Sequence, residues 1–210
     1  MHVKNILSAG KPVADAQKIL IMIHGRGSTA EKILPVAQYL RVNDFALLAP
    51  QATNNSWYPY SFLAPPAQNE PWLSSALDLL KDILQDLAAQ GFATKDIYFL
   101  GFSQGACLTL EFVTRHAARF GGIVAFTGGL IGDKIYPENY SGDFAGTPVL
   151  ISTGNPDPHV PVERVYATAN ILRDRHALVT EKVYEGRPHM VSQQEIELAN
   201  TIVFNHPKAK

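Results

Sequence analysis

The 210-residue sequence has one cysteine, Cys107, so an intrachain disulfide is excluded and a reducing compartment suits the chain. Cys107 itself reads as a small buried apolar residue. Charge is scarce and balanced, with 18% charged residues and a formal net charge of -1. That leaves no basic field for nucleic acid or an anionic membrane. Long apolar runs are missing too: stretches such as 19–23 fall far short of the ~20 residues that span a bilayer. Residues 1–11 lack the apolar segment and small-residue cleavage site of a secretory signal. No cluster has the usual spacing of zinc ligands, and no repeat or Ser/Gly-rich linker divides the chain. The expectation is a single cytoplasmic domain over 1–210 with no metal, no cofactor, no nucleic-acid partner and no stable membrane insertion.

What the chain does have is alternation. Residues 18–24, 45–50, 96–102, 122–126, 148–153 and 178–184 are short and rich in Ile, Leu, Val, Phe and Tyr, most with too little polar alternation to leave one face in water. They read as buried strands. Between them lie helical patterns, the clearest a stripe of Leu73, Ala76, Leu77, Leu80, Ile83, Leu84 and Leu87 that stops at Gly91. Two further helices announce their starts with capping boxes, Ser28 with Glu31 and Ser192 with Glu195. Strand–helix alternation predicts an α/β fold: right-handed crossovers, a mostly parallel sheet and helices on both faces. Ligands of such sheets sit at the carboxyl ends of the strands.

The chemistry centres on Gly101-Phe102-Ser103-Gln104-Gly105, between the apolar strand 97–100 and the apolar helix 106–116. As letters alone, G-x-S-x-G arises by chance in roughly one chain in fifteen of this length. On a strand-to-helix turn it is specific: the glycines permit a sharp bend that lifts the Ser103 hydroxyl clear of the sheet. The following helix turns free N–H groups towards developing negative charge.

A serine hydroxyl is a weak nucleophile near neutral pH, so a base and an orienter must be in reach. In this fold they follow in the chain, acid before histidine, each after a strand. The strand at 149–153 runs into Gly154-Asn155-Pro156-Asp157-Pro158-His159-Val160-Pro161, which nominates Asp157. Asp133 and Asp143 lie in a Gly-rich loop and read as turn or solvated carboxylates. The last strand leads to Arg187-Pro188-His189, which nominates His189 as base. His116 and His176 read as residues closing helices. His159, two residues from Asp157, is a second histidine for the site. For the oxyanion, one donor is expected from the backbone N–H of Gln104. The other is expected from the loop His24-Gly25-Arg26-Gly27, where Arg26 is nominated for its backbone and His24 for holding the loop.

These segments resemble the phospholipase/carboxylesterase family of α/β-hydrolases, which includes acyl-protein thioesterases and bacterial carboxylesterases. The resemblance runs over nearly the whole chain, through H-G-R-G at 24–27, A-P-Q at 49–51 with the Trp57 segment, G-F-S-Q-G-A at 101–106, G-N-P-D-P-H-V-P at 154–161 and Y-E-G-R-P-H at 184–189. It implies the α/β-hydrolase fold, a triad of Ser103, Asp157 and His189, and oxyanion donors on the backbones of Arg26 and Gln104. Two features depart from members that act on acylated proteins or lysophospholipids. Those often carry a small or aliphatic residue where Arg26 stands, and glycine where Arg187-Pro188 precede the histidine.

Only about twenty residues separate the strands at 122–126 and 148–153, too few for a cap domain, so an open cleft is expected. Trp57, Tyr58 and Phe62 are candidates to wall an apolar pocket, with Met190 filling space beside the base. Such a pocket suits a small-molecule or acyl ester substrate with short- to medium-chain or aryl groups. A lysophospholipase, an acyl-protein thioesterase and a catalytically silent binding module on the same fold stay open as alternatives. The apolar stretch at 57–66 suits substrate or a second copy of the chain, so a homodimer stays open as well.

Overall fold

Strands that are apolar on both faces must be covered on both faces, and amphipathic helices are the available cover. In the computed structural model, which describes residues 1–205, the sheet has seven strands. They are β1 (Ile6–Gly10), β2 (Ile19–Ile23), β3 (Ala46–Pro50), β4 (Ile97–Phe102), β5 (Gly122–Phe126), β6 (Pro148–Asn155) and β7 (Leu178–Glu185). Their order is β1-β3-β2-β4-β5-β6-β7, and every neighbouring pair is parallel except β1 with β3. The helices are α1 (Ala30–Ile33), α2 (Trp72–Ala89), α3 (Gln104–Arg115), α4 (Val162–Arg173) and α5 (Gln193–Ile202).

The two-residue period of β2 divides the interior. Ile19, Ile21 and Ile23 pack with Leu80 of α2, Leu110 of α3 and Val165 of α4. Leu20 and Met22 face the opposite layer, with Ala30 and Ile33 of α1 and Ala199 of α5. Each such buried aliphatic side chain contributes about 1.5–3 kcal/mol. The α2 stripe lies as the spacing predicts, with Leu73, Ala76, Leu77, Leu80, Ile83 and Leu87 buried and Leu84 partly buried against the same layer. Beyond its end Gly91 takes φ 92°.

Three local expectations change. β1 is not marked by any apolar run, because an edge strand of Ile-Leu-Ser-Ala-Gly covers little and buries little. β7 is a strand but not a buried one: none of its residues is fully enclosed, since it closes the other edge of the sheet. The Ser28–Glu31 capping box does not form. The cap of α1 is Thr29, without a side-chain bond, and the Ser28 N–H is drawn back to the carbonyl of Gly25 at 3.1 Å. The Ser192–Glu195 box does form.

Segment 127–147 carries one short 3-10 turn (Pro137–Asn139) and no helical cap, so the carboxyl ends of the central strands stay accessible. Among the described residues no helix is long and apolar enough to cross a membrane.

Candidate active site

β4 ends at Phe102 and α3 starts at Gln104, which leaves Ser103 alone to make the turn. Its φ of 55° and ψ of -121° lie where L-residues are rarely found, at a cost of about 1–3 kcal/mol. Close packing holds it there. A Cβ on Gly101 would lie 2.4 Å from the carbonyl oxygen of Gly105, and one on Gly105 only 2.1 Å from that of Ile23. The Ser103 N–H donates to the carbonyl of Phe126 at 3.0 Å, and residues 104–114 of α3 are all buried.

Three sequence-nominated side chains converge at this turn. Ser103 Oγ lies 2.8 Å from His189 Nε2, and His189 Nδ1 lies 2.8 Å from Asp157 Oδ2. The other carboxylate oxygen, Oδ1, accepts the N–H groups of His159 at 2.8 Å and Val160 at 2.9 Å. With Asp157 ionised, Nδ1 carries the imidazole proton and Nε2 faces the serine hydroxyl as acceptor. Burial pushes the Asp157 carboxyl up, but the hydrogen bond from His189 and those from the two N–H groups outweigh it and hold the carboxyl below its ordinary value. The His189 ring is flanked by Phe102, with ring centres 5.3 Å apart, and edge-on by His159 at 4.9 Å.

The competing residues fall elsewhere. Asp133 accepts from the Tyr136 hydroxyl, and Asp143 binds its own turn at Ala145 N–H and the ring of His176. His116 caps the end of α3.

The loop after β2 comes up beside the serine, with Gly25 close enough that a Cβ on it would sit 3.4 Å from that of Ser103. His24 is fully buried. Its Nδ1 lies 2.8 Å from the Gly25 carbonyl, and its Nε2 accepts the Ala52 N–H at 3.1 Å. Since Nε2 must accept, the proton is on Nδ1; burial, outweighing the Gly25 bond, lowers the pKa of His24 and favours this neutral ring. Among the described residues no hydrogen bond takes up the backbone N–H of Arg26 or of Gln104, the latter being a first-turn donor of α3.

These elements open onto a cleft of about 780 Å³ lined by the loop at 25–28, by 58–63, by 102–104 with Cys107, and by 158–161 with His189. The volume suits a small organic ligand. Tyr58 and Phe62 line it. Trp57 does not: it is fully buried, and its indole N–H donates to the His24 carbonyl at 2.8 Å, so it braces the loop from beneath. Met190 stands 50% exposed outside the lining, because the turn after His189 carries it away from the cleft. Cys107 is buried with its thiol pushed up to about 12 by burial, so it stays neutral.

Two groups of residues central to this geometry were not singled out for it by sequence. The first supports the histidine. Arg187, nearly buried, pairs with the fully buried Glu195 of α5 at 3.2 Å and donates to Thr127 Oγ1 at 3.2 Å. Glu195 also accepts the Ser152 hydroxyl at 2.6 Å and closes the α5 capping box. Arg187 stands out in the sequence as a departure from relatives, but its partner lies eight residues on, where only the fold brings them together. The second group holds the cleft wall at 56–62, whose polar backbone is met largely by side chains: Arg26, Gln104 and the buried Asn69. Among the described residues no group of three or more His, Cys, Asp or Glu is placed to hold a metal ion.

Comparison with known proteins is consistent with this geometry. The model of the phospholipase/carboxylesterase family matches residues 4–206. A phospholipase/carboxylesterase from Dyadobacter fermentans, known as a crystal structure, is 54% identical, with a TM-score of 0.96 over 97% of this chain and 98% of its own. A probable carboxylesterase of Oryza sativa subsp. japonica is 26% identical over 92% of this chain and 79% of its own. Acyl-protein thioesterase 1 of Saccharomyces cerevisiae is 26% identical over 92% and 94%. With sheet order, strand-end cleft and the family match over residues 4–206 in agreement, the chain belongs to the phospholipase/carboxylesterase family, carboxylic ester hydrolases of the α/β-hydrolase fold.

Proposed function

We propose that the protein is a serine hydrolase of carboxylic esters or thioesters in which Ser103 is the nucleophile, His189 the general base and then acid, and Asp157 the orienter of the imidazole. The continuous hydrogen-bonded line from Ser103 Oγ through His189 to Asp157 carries this reading. His189 Nε2 takes the hydroxyl proton as Oγ attacks the ester carbon. The carbonyl oxygen becomes an oxyanion, which accepts from the unused backbone N–H groups of Arg26 and Gln104. Collapse of the tetrahedral adduct breaks the bond to the leaving alkoxide or thiolate, which receives the proton from His189. A water activated by the same nitrogen then releases the acid from Ser103. Asp157 stays ionised and stabilises the imidazolium in both halves. None of these steps calls on a metal or an organic cofactor.

The substrate reading follows from the walls. Tyr58, Phe62, Leu63, Phe102 and Val160 give the cleft an apolar character, suited to short- to medium-chain acyl or aryl esters in solution, as expected in the cytoplasm. The test is hydrolysis of p-nitrophenyl acetate, butyrate, octanoate and palmitate by wild type and Ser103→Ala, with fluorophosphonate labelling read by intact mass. The expected result is one adduct on Ser103, loss of turnover in the variant and a rate that declines beyond butyrate. Equal rates in the two proteins and no adduct would leave a ligand-binding module.

A further inference from the structure

Arg26 and Gln104 are the two residues whose untaken backbone N–H groups the proposed mechanism assigns to the oxyanion, and both send their side chains to the same place. The Gln104 amide spans the wall segment, accepting the Trp57 N–H at 3.0 Å and donating to the Tyr58 carbonyl at 2.8 Å. The Arg26 guanidinium donates to the carbonyls of Pro59, at 2.8 Å, and Tyr60, reaches Ser56 Oγ at 3.1 Å, and lies 5.8 Å from the centre of the Tyr58 ring. No carboxylate competes for it among the described residues. Segment 56–60 has no regular secondary structure of its own, so unpaired carbonyls there need partners, and a planar fork is suited to satisfying two neighbouring ones together. Asn69 holds the far end of the same segment through Tyr60 N–H at 2.8 Å and the Ser61 carbonyl at 3.0 Å.

We infer that Arg26 is a positioning residue: its side chain locks the 56–60 wall to the loop that carries the oxyanion donor, so that the fit of the substrate's acyl or alkyl group and the stabilisation of the oxyanion are set by one rigid unit. The inference rests on the serine-hydrolase reading above. In such a unit a displacement of the wall is a displacement of the Arg26 N–H, and misplacement by a fraction of an ångström is felt in the chemical step rather than in binding alone.

The experiment compares wild type, Arg26→Met and Arg26→Lys on p-nitrophenyl acetate and p-nitrophenyl hexanoate. Rates are expressed per serine titrated with fluorophosphonate, so that loss of folded protein does not enter. Arg26→Met is expected to lower kcat on both esters by about ten- to a hundredfold and to raise KM for hexanoate more than for acetate. Arg26→Lys, a point charge able to serve one carbonyl well, is expected to fall between the two. A kcat per titrated serine in Arg26→Met within twofold of wild type on both esters would overturn the inference. Failure of the wild type itself to react at Ser103 would instead overturn the reading beneath it.

Discussion

The proposed nucleophile and the proposed base reach the same cleft by different physical means. Ser103 makes the turn at the end of the central strand β4, with one glycine's missing Cβ against the Gly105 carbonyl and another's against the Ile23 carbonyl; steric exclusion fixes it. His189 stands on a loop beyond the edge strand β7, and buried polar pairs hold that loop from below: Arg187 with Glu195, Glu195 with Ser152, Arg187 with Thr127. A hydrocarbon and glycine scaffold gives a position that cannot shift without a clash. A polar scaffold gives one that depends on every partner being present. The half of the site to which the proposed mechanism assigns proton transfer is the half built from polar contacts.

That contrast breaks most sharply at His189 and Asp157. Asp157→Asn keeps the shape but removes the charge that fixes the imidazole tautomer, and kcat should fall by about 10⁴-fold with the cleft still able to bind substrate; steady-state kinetics checks this. On the Ser103 side, Gly105→Ala drives a methyl into the Ile23 carbonyl, and destabilisation at or beyond the ~3 kcal/mol upper range of ordinary overpacking is expected. Urea unfolding measures it. Arg187→Met leaves Glu195 buried without its cation, for which about 3–5 kcal/mol is expected, together with a loss of kcat on the order of tenfold or more as the loop loosens. Arg187→Met with Glu195→Met should recover part of the stability, short of wild type because the Ser152 hydroxyl and the α5 cap lose their acceptor, but not the rate, which would separate support of the fold from support of the histidine.

Acid exposes the same half. The Asp157 carboxyl is depressed in the folded protein, so its stabilising contribution is fully present above the unfolded carboxylate value of about 3.9 and is lost as pH falls through the lower folded value. The stability gap between wild type and Asp157→Asn should therefore close as the solution becomes more acidic than about pH 4. The smallest effect is expected at Cys107. Its buried thiol, raised to about 12, should resist iodoacetamide under native conditions and react only after unfolding, as intact mass would show.

The features legible in the sequence are those that one local rule decides. Apolar runs mark β2 to β6, and G-x-S-x-G between a strand and a helix places Ser103. Position after a strand is enough to nominate Asp157 and His189, which the fold brings within 2.8 Å of their neighbours along the line. The wall residues are less legible, because an aromatic side chain satisfies a pocket and a core equally well in one dimension. Tyr58 and Phe62 line the cleft, whereas Trp57 turns under it. Ser28 illustrates another limit. Its spacing to Glu31 suits a capping box, but the Gly25–Ser28 turn that presents Arg26 to the cleft takes the Ser28 N–H first. The side chains of Arg26 and Gln104 carry no local signal of what they hold, since their partners lie thirty or more residues away.

The central claim is that Ser103 forms an acyl-enzyme with help from His189, and rapid quenching of a p-nitrophenyl butyrate reaction, followed by intact mass and peptide mapping, tests it most directly. The account predicts a burst of nitrophenolate matched by one butyryl group on the peptide bearing Ser103, absent in Ser103→Ala. Steady turnover with no acyl group on Ser103 at any quench time, and an undiminished rate in Ser103→Ala, would contradict it.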